Sequence, residues 1–130
     1  MGAASSWNRV WGGVICSVDS MVRLIADVGR KNFRANCDAA HFCAQRENVP
    51  LALMKLEDRY ANIHTADNDC ATADHLALRD GIIDWVEFFG ILKRQGYEGY
   101  LGLDLGSSDS MEQDLLKSLA YIYCSRLKNP

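Results

Sequence analysis

The order in which helical and extended segments alternate constrains the fold of this chain more than any other feature. Apolar residues recur at helical spacing in four segments, and short mixed segments bounded by Gly or polar residues stand between them. The pattern predicts helices over 17–29, 51–58, 84–96 and from 109 onward, and strands over 32–37, 60–63 and 99–103. Because strands that alternate with helices are joined by right-handed crossovers, we expect an α/β fold with three parallel strands and four helices.

Length and composition fit a single domain. The chain has 130 residues, of which 48% are hydrophobic and 24% are charged, as in ordinary globular proteins. We divide it into a poorly defined N-terminal segment, 1–16, and a domain over 17–130. The formal net charge of −3 provides no strong positive field, so neither nucleic acid nor an anionic membrane is an expected partner.

The cysteines predict a reducing compartment. There are five of them, an odd number, at irregular spacing and without a Cys-x-x-Cys pair. This usage favours free thiols over a disulfide framework, and we expect Cys37 and Cys43 to be buried thiols rather than zinc ligands. No signal peptide or transmembrane span is recognisable, so we predict a cytoplasmic protein.

Each predicted strand ends at a potential metal ligand, namely Asp38, His64 and Asp104 in turn. The carboxyl ends of parallel strands share one edge of a sheet, where barrel enzymes gather their catalytic groups. A single Asp at such a place is more often a turn residue or a helix cap, but here all three strand ends carry a ligand. Carboxylate and imidazole together suit Mn²⁺, Mg²⁺, Co²⁺ or Zn²⁺, so the pattern predicts a divalent-metal site.

The segment 65–83 is polar, irregular and far longer than the usual connection of about 4–6 residues. Loops of this length commonly carry function. His75 has no partner at ligand spacing within the loop, so we expect it to be solvated. After the loop, Trp85, Phe88 and Phe89 stand at helical spacing, which predicts a place in the core rather than a sugar-stacking surface.

Four sequence blocks between 18 and 127 resemble the xylose isomerase-like TIM barrels, which include sugar isomerases, sugar epimerases and an apurinic endonuclease branch. The resemblance implies that the domain is the C-terminal half of a (β/α)8 barrel. The blocks stand in the family's order and are Asn36-x-Asp38-x-x-His41 with Glu47-Asn48, His64-x-x-Asp67-Asn68, Gly81-x-x-Asp84-Trp85, and Gly96-Tyr97-x-Gly99 leading to Asp104.

The resemblance also implies roles for individual residues. Asp38, His64 and Asp104 would bind the catalytic metal. His41 would be a catalytic residue that meets the substrate or a second ion, and Asn68 would contact the substrate.

Two further expectations concern carboxylates. Asp67 and Asp74 are candidates for a second ion. Many relatives have Glu where Asp104 stands and use it as one of two acid–base carboxylates, whereas a sugar-isomerase branch has Asp. The family's other strand-end Glu has no counterpart between Met1 and Ser17, so the predicted proton-transfer machinery is incomplete.

The leading interpretation is a metal-dependent isomerase or epimerase of carbohydrate metabolism that acts on a small-molecule sugar or sugar phosphate. It would interconvert an aldose and a ketose, or two epimers, through an enediolate or a hydride shift. The first alternative is a catalytically incomplete half-barrel that works only with another copy or with a missing N-terminal half, because a complete barrel needs about 250 residues. The second is an apurinic-endonuclease-like repair enzyme, which the acidic residues around His64 disfavour.

Overall fold

The computed structural model describes residues 17–127, with side chains through Ser125. The predicted segment 1–16 lies outside the described residues. The strands form one parallel sheet in the order β1-β2-β3, which confirms the predicted α/β class with three parallel strands. The elements are α1 Val18–Val28, β1 Ala35–Asp38, α2 Ala39–Ala44, α3 Val49–Leu56, β2 Tyr60–Thr65, α4 Trp85–Arg94, β3 Leu101–Leu103 and α5 Met111–Leu127.

Helix α2 is the element that the sequence pattern does not predict, so residues 17–127 contain five α-helices where four are expected. It has six residues, and four of them are buried, so no polar face marks it as amphipathic. Its start is fixed by Asp38, the last residue of β1, whose carboxylate Oδ1 accepts a hydrogen bond from the His41 backbone N–H at 3.0 Å. Strand β1 therefore runs directly into a helix.

The longer helices begin and end where the sequence places capping residues. The Ser17 hydroxyl accepts a hydrogen bond from a first-turn backbone N–H of α1, and Gly29 ends that helix with a left-handed φ of 61°. The side chains of Asn48 and Asp84 cap α3 and α4 in the same way. Within residues 17–127, no helix is long and apolar enough to cross a membrane.

The hydrophobic core lies between the sheet and the helices on one of its faces. Cys37 of β1 and Ile63 of β2 point to this side and are fully buried. Burial raises the pKa of the Cys37 thiol well above its usual range. Trp85 and Phe88 are also buried there, and Phe89 packs against the same cluster, which confirms the predicted core role of these aromatic residues.

The opposite face of the sheet is polar and faces outward. Asn36 of β1 pairs in register with Asn62 of β2, and the Asn62 Nδ2 group donates to Asn36 Oδ1 at 3.2 Å. The Asn36 amide nitrogen in turn lies 3.3 Å from His64 Nδ1. This face, which we call the open face, therefore carries amide and imidazole groups where the other face carries apolar side chains.

The long connection between β2 and α4, residues 66–84, is ordered around one buried carboxylate; we call it the site loop. The Asp67 Oδ1 atom accepts from the backbone N–H groups of Asn68 at 2.9 Å and Ile83 at 3.1 Å. Its Oδ2 atom accepts from Arg79 N–H at 2.7 Å and from the Trp85 indole N–H at 2.8 Å. Both oxygens thus accept hydrogen bonds within the protein, and Asp67 belongs to neither group of potential metal ligands found among the described residues. The structure therefore gives no support to the expectation that Asp67 binds a second ion.

A disulfide joins α2 to the site loop, so the prediction that all cysteines are free thiols is wrong. Cys43 and Cys70 are bonded, with their Cα atoms 4.8 Å apart. They stand 27 residues apart in sequence, and only the tertiary fold brings them within bonding distance. Cys37 and Cys124 are the free cysteines among the described residues, and Cys37 is buried as expected.

The hydrogen bonds of Asp67 lead to a stability prediction. Replacing Asp67 with Ala leaves buried donors without an acceptor, and we expect the free energy of unfolding to fall by on the order of 3 kcal/mol. Urea unfolding followed by circular dichroism measures this. The matched control is Asp74→Ala in the same loop, because Asp74 is exposed, and it should change stability by less than about 0.5 kcal/mol. Equal unfolding midpoints for the two variants would contradict the role of Asp67.

Candidate metal centre

The parallel sheet brings three strand ends to one edge. Asp38 closes β1 and pairs directly with His64 of β2 in the ladder. Asp104 follows β3, and its backbone N–H donates to the Thr65 carbonyl oxygen at 3.2 Å. The three side chains predicted from the strand ends therefore lie together at the carboxyl edge of the sheet.

The distances among these side chains suit one divalent ion. His64 Nδ1 lies 3.4 Å from Asp38 Oδ2 and 3.6 Å from Asp104 Oδ2. Ligand atoms about 2 Å from an ion lie roughly 3–3.5 Å from one another, so only small movements are needed to bind one. The Asp38 side chain is 12% exposed and that of Asp104 is 49% exposed, so the site is anchored in the protein on one side and open on the other.

The His64 ring is oriented by its neighbours on the open face. The Asn36 amide nitrogen lies 3.3 Å from Nδ1, the same atom that faces the two carboxylates. A side chain at Gly102 of the neighbouring strand would approach the ring, because a Cβ there would lie 3.3 Å from His64 Cδ2. A glycine at this position therefore leaves room for the imidazole beside β3.

A second group of potential ligands shares Asp38 with the first. His41 Nε2 lies 3.7 Å from Asp38 Oδ2, and the rings of His41 and His75 meet edge to face with centroids 5.0 Å apart. Asp38, His41 and His75 can bring ligand atoms within 4.8 Å of one another. His41 thus stands beside the first ligand group, where either a substrate or a second ion would lie.

His75 belongs to this site, and the expectation that it is solvated is wrong. Its side chain is only 16% exposed, and Nδ1 lies 2.7 Å from the Asp104 carbonyl oxygen and 3.4 Å from the Asp104 carboxylate. The site loop carries it there because Asp67 and Leu76 form an antiparallel bridge close to the end of β2. The only sequence signal for this placement is the length of the loop, which does not identify the residue.

Asn68 holds the loop together from inside. It is fully buried, and its side-chain amide donates to the carbonyl oxygens of Thr72 at 3.1 Å and Asp74 at 2.7 Å. Its Oδ1 atom accepts from the Cys70 backbone N–H at 2.7 Å. The described contacts therefore use the polar atoms of Asn68 within the loop and offer no support for the prediction that it contacts the substrate. Asp74, the other candidate for a second ion, is exposed and belongs to neither ligand group found among the described residues.

Two cavities open beside the ligands. One of about 480 Å³ is lined by Asp38, His41, His64 and Asp104, and another of about 700 Å³ is lined by His41, His75 and Asp104. Three further carboxylates line the larger cavity, those of Asp74, Asp80 and Asp114. The local charge therefore attracts a cation, and the space beside it suits a small polar molecule.

The chemistry of this donor set fits a hard or borderline divalent ion. Two carboxylates and an imidazole are typical ligands of Mn²⁺, Co²⁺ and Zn²⁺, and the exposed side of the site leaves positions for substrate oxygens. Two carboxylates at a metal site also offer a group that can move a proton, because one of them can act on a substrate bound at the open positions.

Solved structures share this fold. A D-tagatose 3-epimerase-like protein aligns with a TM-score of 0.73 and 20% identity, over 88% of this chain and 43% of its own. A xylose isomerase domain protein from Planctomyces limnophilus aligns with a TM-score of 0.76 and 26% identity, over 86% of this chain and 44% of its own. The 3-keto-D-glucoside 4-epimerase from E. coli aligns with a TM-score of 0.68 and 23% identity, over 83% and 40%.

The chain thus spans less than half the length of these solved proteins, which agrees with the predicted partial barrel. No match was found among curated protein sequences. The sequence profile of the family described as xylose isomerase-like TIM barrel matches residues 7–123, which is most of the chain. Together with the parallel sheet and the strand-end ligands, this match shows that the chain belongs to the xylose isomerase-like TIM barrel family.

Proposed function

We propose that this chain is the metal-binding part of a divalent-metal-dependent sugar isomerase or epimerase. The observation that carries the proposal is the convergence of Asp38, His64 and Asp104 at the carboxyl edge of the sheet, with ligand atoms 3.4 and 3.6 Å apart. The names of the structural neighbours support the class of reaction, because they include sugar 3-epimerases and a 4-epimerase. The proposal includes sugars and sugar phosphates as substrates.

A divalent ion at this edge would be held by Asp38, His64 and Asp104 and would supply a Lewis acid for a carbonyl oxygen of the sugar. The chain's own groups would then bind and move protons. In the enediolate route, a carboxylate removes the proton next to the carbonyl group and returns it to a different carbon or to the opposite face. Asp104 is our candidate for this step because its carboxylate is half exposed beside the larger cavity. A hydride shift is the alternative route and needs no such base.

His41 would orient the substrate. Its side chain is 43% exposed at the rim of both cavities and lies 3.7 Å from Asp38 Oδ2. An imidazole at this place can donate a hydrogen bond to a sugar hydroxyl or accept one from it. We therefore assign His41 to substrate binding and catalysis, next to the metal rather than among its first three ligands.

The half-barrel alternative is favoured by a specific observation. The sheet has three strands, and among the described residues its outer strands β1 and β3 each pair on one side only. The chain covers 43% of the D-tagatose 3-epimerase-like protein. Association with a second copy would supply further strands, and association with another chain could also supply the second acid–base carboxylate. The repair-enzyme alternative is not favoured, because the carboxylates that line the larger cavity would repel a phosphate backbone.

Metal binding is tested first with Asp38→Asn and His64→Ala. Asn keeps an oxygen that can cap α2, so Asp38→Asn removes the ligand charge without removing the helix cap that Asp38 provides. We expect each variant to weaken Mn²⁺ binding at least about 100-fold, since even the loss of an outer partner of a ligand costs about 10–100-fold. Free Mn²⁺ measured by electron paramagnetic resonance during a titration gives the affinity.

The control is Asp19→Ala, which removes a surface carboxylate that pairs with Lys55 on α3 and belongs to neither group of potential ligands. It should bind Mn²⁺ as the unchanged chain does. Circular dichroism should show the same helix content for all variants. Mn²⁺ affinity that is equal in His64→Ala and in the unchanged chain would remove the basis of the metal site.

Association is tested on the full 130-residue chain. Because the edges of β1 and β3 offer unpaired backbone groups, we expect a dimer or larger assembly whose mass rises with concentration in light scattering. We also expect little or no ketose turnover with Mn²⁺ by the isolated chain. A monomer at every concentration that turns over a ketose would show that no other chain is needed.

A further inference from the structure

The disulfide lies where two of the potential ligands are positioned. Cys43 is on α2, the short helix that carries His41, and Cys70 is in the site loop that carries His75. The edge-to-face contact of the two imidazole rings, 5.0 Å between centroids, joins the same two segments. The covalent bond therefore fixes the separation of the elements that must meet for His41 and His75 to act together.

The hydrogen bonds of the site loop run within the loop and to neighbours that include Ser118 of α5 and Asp104 after β3. Toward α2, the Asn68 carbonyl oxygen lies 3.6 Å from Cys43 Sγ. Asp67 binds the backbone at the end of the loop, and Asn68 binds carbonyl oxygens of the turn that follows it. The Asp67–Leu76 bridge closes the middle of the loop. None of these hydrogen bonds within the loop uses the side chain of Cys43 or Cys70, and the disulfide adds a covalent link between the loop and α2.

The disulfide is accessible from a cavity. A space of about 440 Å³ is lined by both cysteines and by Pro50, Met54 and Ile82. Cys43 is 2% exposed, whereas Cys70 is partly exposed. Cys70 is therefore the more accessible of the two residues to a small thiol.

The backbone at Cys70 is held in an uncommon conformation. Its φ is 57°, in the left-handed region that side chains rarely adopt. The disulfide and the hydrogen bond from its N–H group to Asn68 Oδ1 both restrain this residue. Opening the disulfide removes one of the two restraints and allows the turn to relax.

We propose that the Cys43–Cys70 disulfide is a reversible, redox-controlled clamp that sets the position of the site loop against α2. Closing it transfers two electrons and two protons from the thiols to a small-molecule disulfide, which leaves as two thiols after a mixed disulfide forms at Cys70 and is resolved by Cys43. Opening it is the reverse exchange with two small-molecule thiols. In the closed form His41 and His75 stay in contact, and in the open form the loop moves away from α2.

The consequence for metal binding rests on the proposed function. If the open form holds the binding-competent arrangement for only about one tenth of the time, the apparent dissociation constant of a second ion rises about tenfold. This second ion would be held by Asp38, His41 and His75, beside the ion proposed at Asp38, His64 and Asp104. The clamp itself does not depend on a metal, because its effect on the loop exists in the metal-free protein. The two claims therefore have separate measurements.

The clamp is tested by hydrogen exchange on the full chain without metal, after equilibration with either oxidised or reduced glutathione. We expect amides near Cys70 and His75 to exchange at least about tenfold faster in the reduced protein, because the loop opens locally. Cys70→Ser should behave as the reduced form in both buffers. The control Cys124→Ser removes an exposed free thiol and should respond to glutathione as the unchanged chain does.

Two results would overturn the clamp. One is an equal rate of loop exchange in both redox states. The other is the absence of a peptide pair linked through Cys43 and Cys70, sought by proteolysis and mass spectrometry after treatment with oxidised glutathione. A Mn²⁺ titration in each state is the separate test of metal coupling, and Mn²⁺ is chosen because it prefers oxygen and nitrogen ligands to thiols. Faster loop exchange without Mn²⁺ binding in either state would support the clamp while contradicting the proposed metal site.

Discussion

Parallel pairing of β1, β2 and β3 is the constraint on which the candidate site depends. Strands in a sheet lie about 4.8 Å apart, which is wider than the separation of two ligands on one ion. Side chains that lean across the strands close this gap, and His64 does so from the central strand, with its Nδ1 within 3.6 Å of both flanking carboxylates. Because Gly102 is its partner in β3, no side chain there blocks the ring. The sheet thus determines the first ligand group, and the loops add to it.

Local rules are sufficient to predict the strands, the longer helices and the three strand-end ligands. Caps such as Ser17 and Asp84 act within one helical turn, and the edge at which parallel strands end follows from the alternation of elements. The features that were not predicted depend on contacts across the fold. Helix α2 is too short and too buried to show a stripe, and neither the Cys43–Cys70 bond nor the approach of His75 to Asp104 has a signature in sequence spacing.

The block that begins with His64 shows a further limit of sequence reasoning. His64, Asp67 and Asn68 are all polar and stand within one short motif, yet only His64 reaches the ligand edge. Asp67 and Asn68 are fully buried and bind backbone groups of the site loop. A family motif can therefore combine a functional residue with residues that hold the loop in shape, and chemical type alone does not separate them. Their hydrogen-bond partners in the folded chain do.

The open face of the sheet determines what kind of surface can cover it. Asn36, Asn62 and His64 form a hydrogen-bonded row there, in the place where a complete barrel has its interior. Water can satisfy their remaining polar atoms, whereas an apolar covering would leave them without partners and would lose on the order of 1–3 kcal/mol for each. A segment that covers the open face must therefore match it in shape and must also present hydrogen-bond donors and acceptors opposite these side chains. The open face therefore selects its neighbour by the cost of removing water from three polar side chains. It does not select it by general hydrophobic attraction.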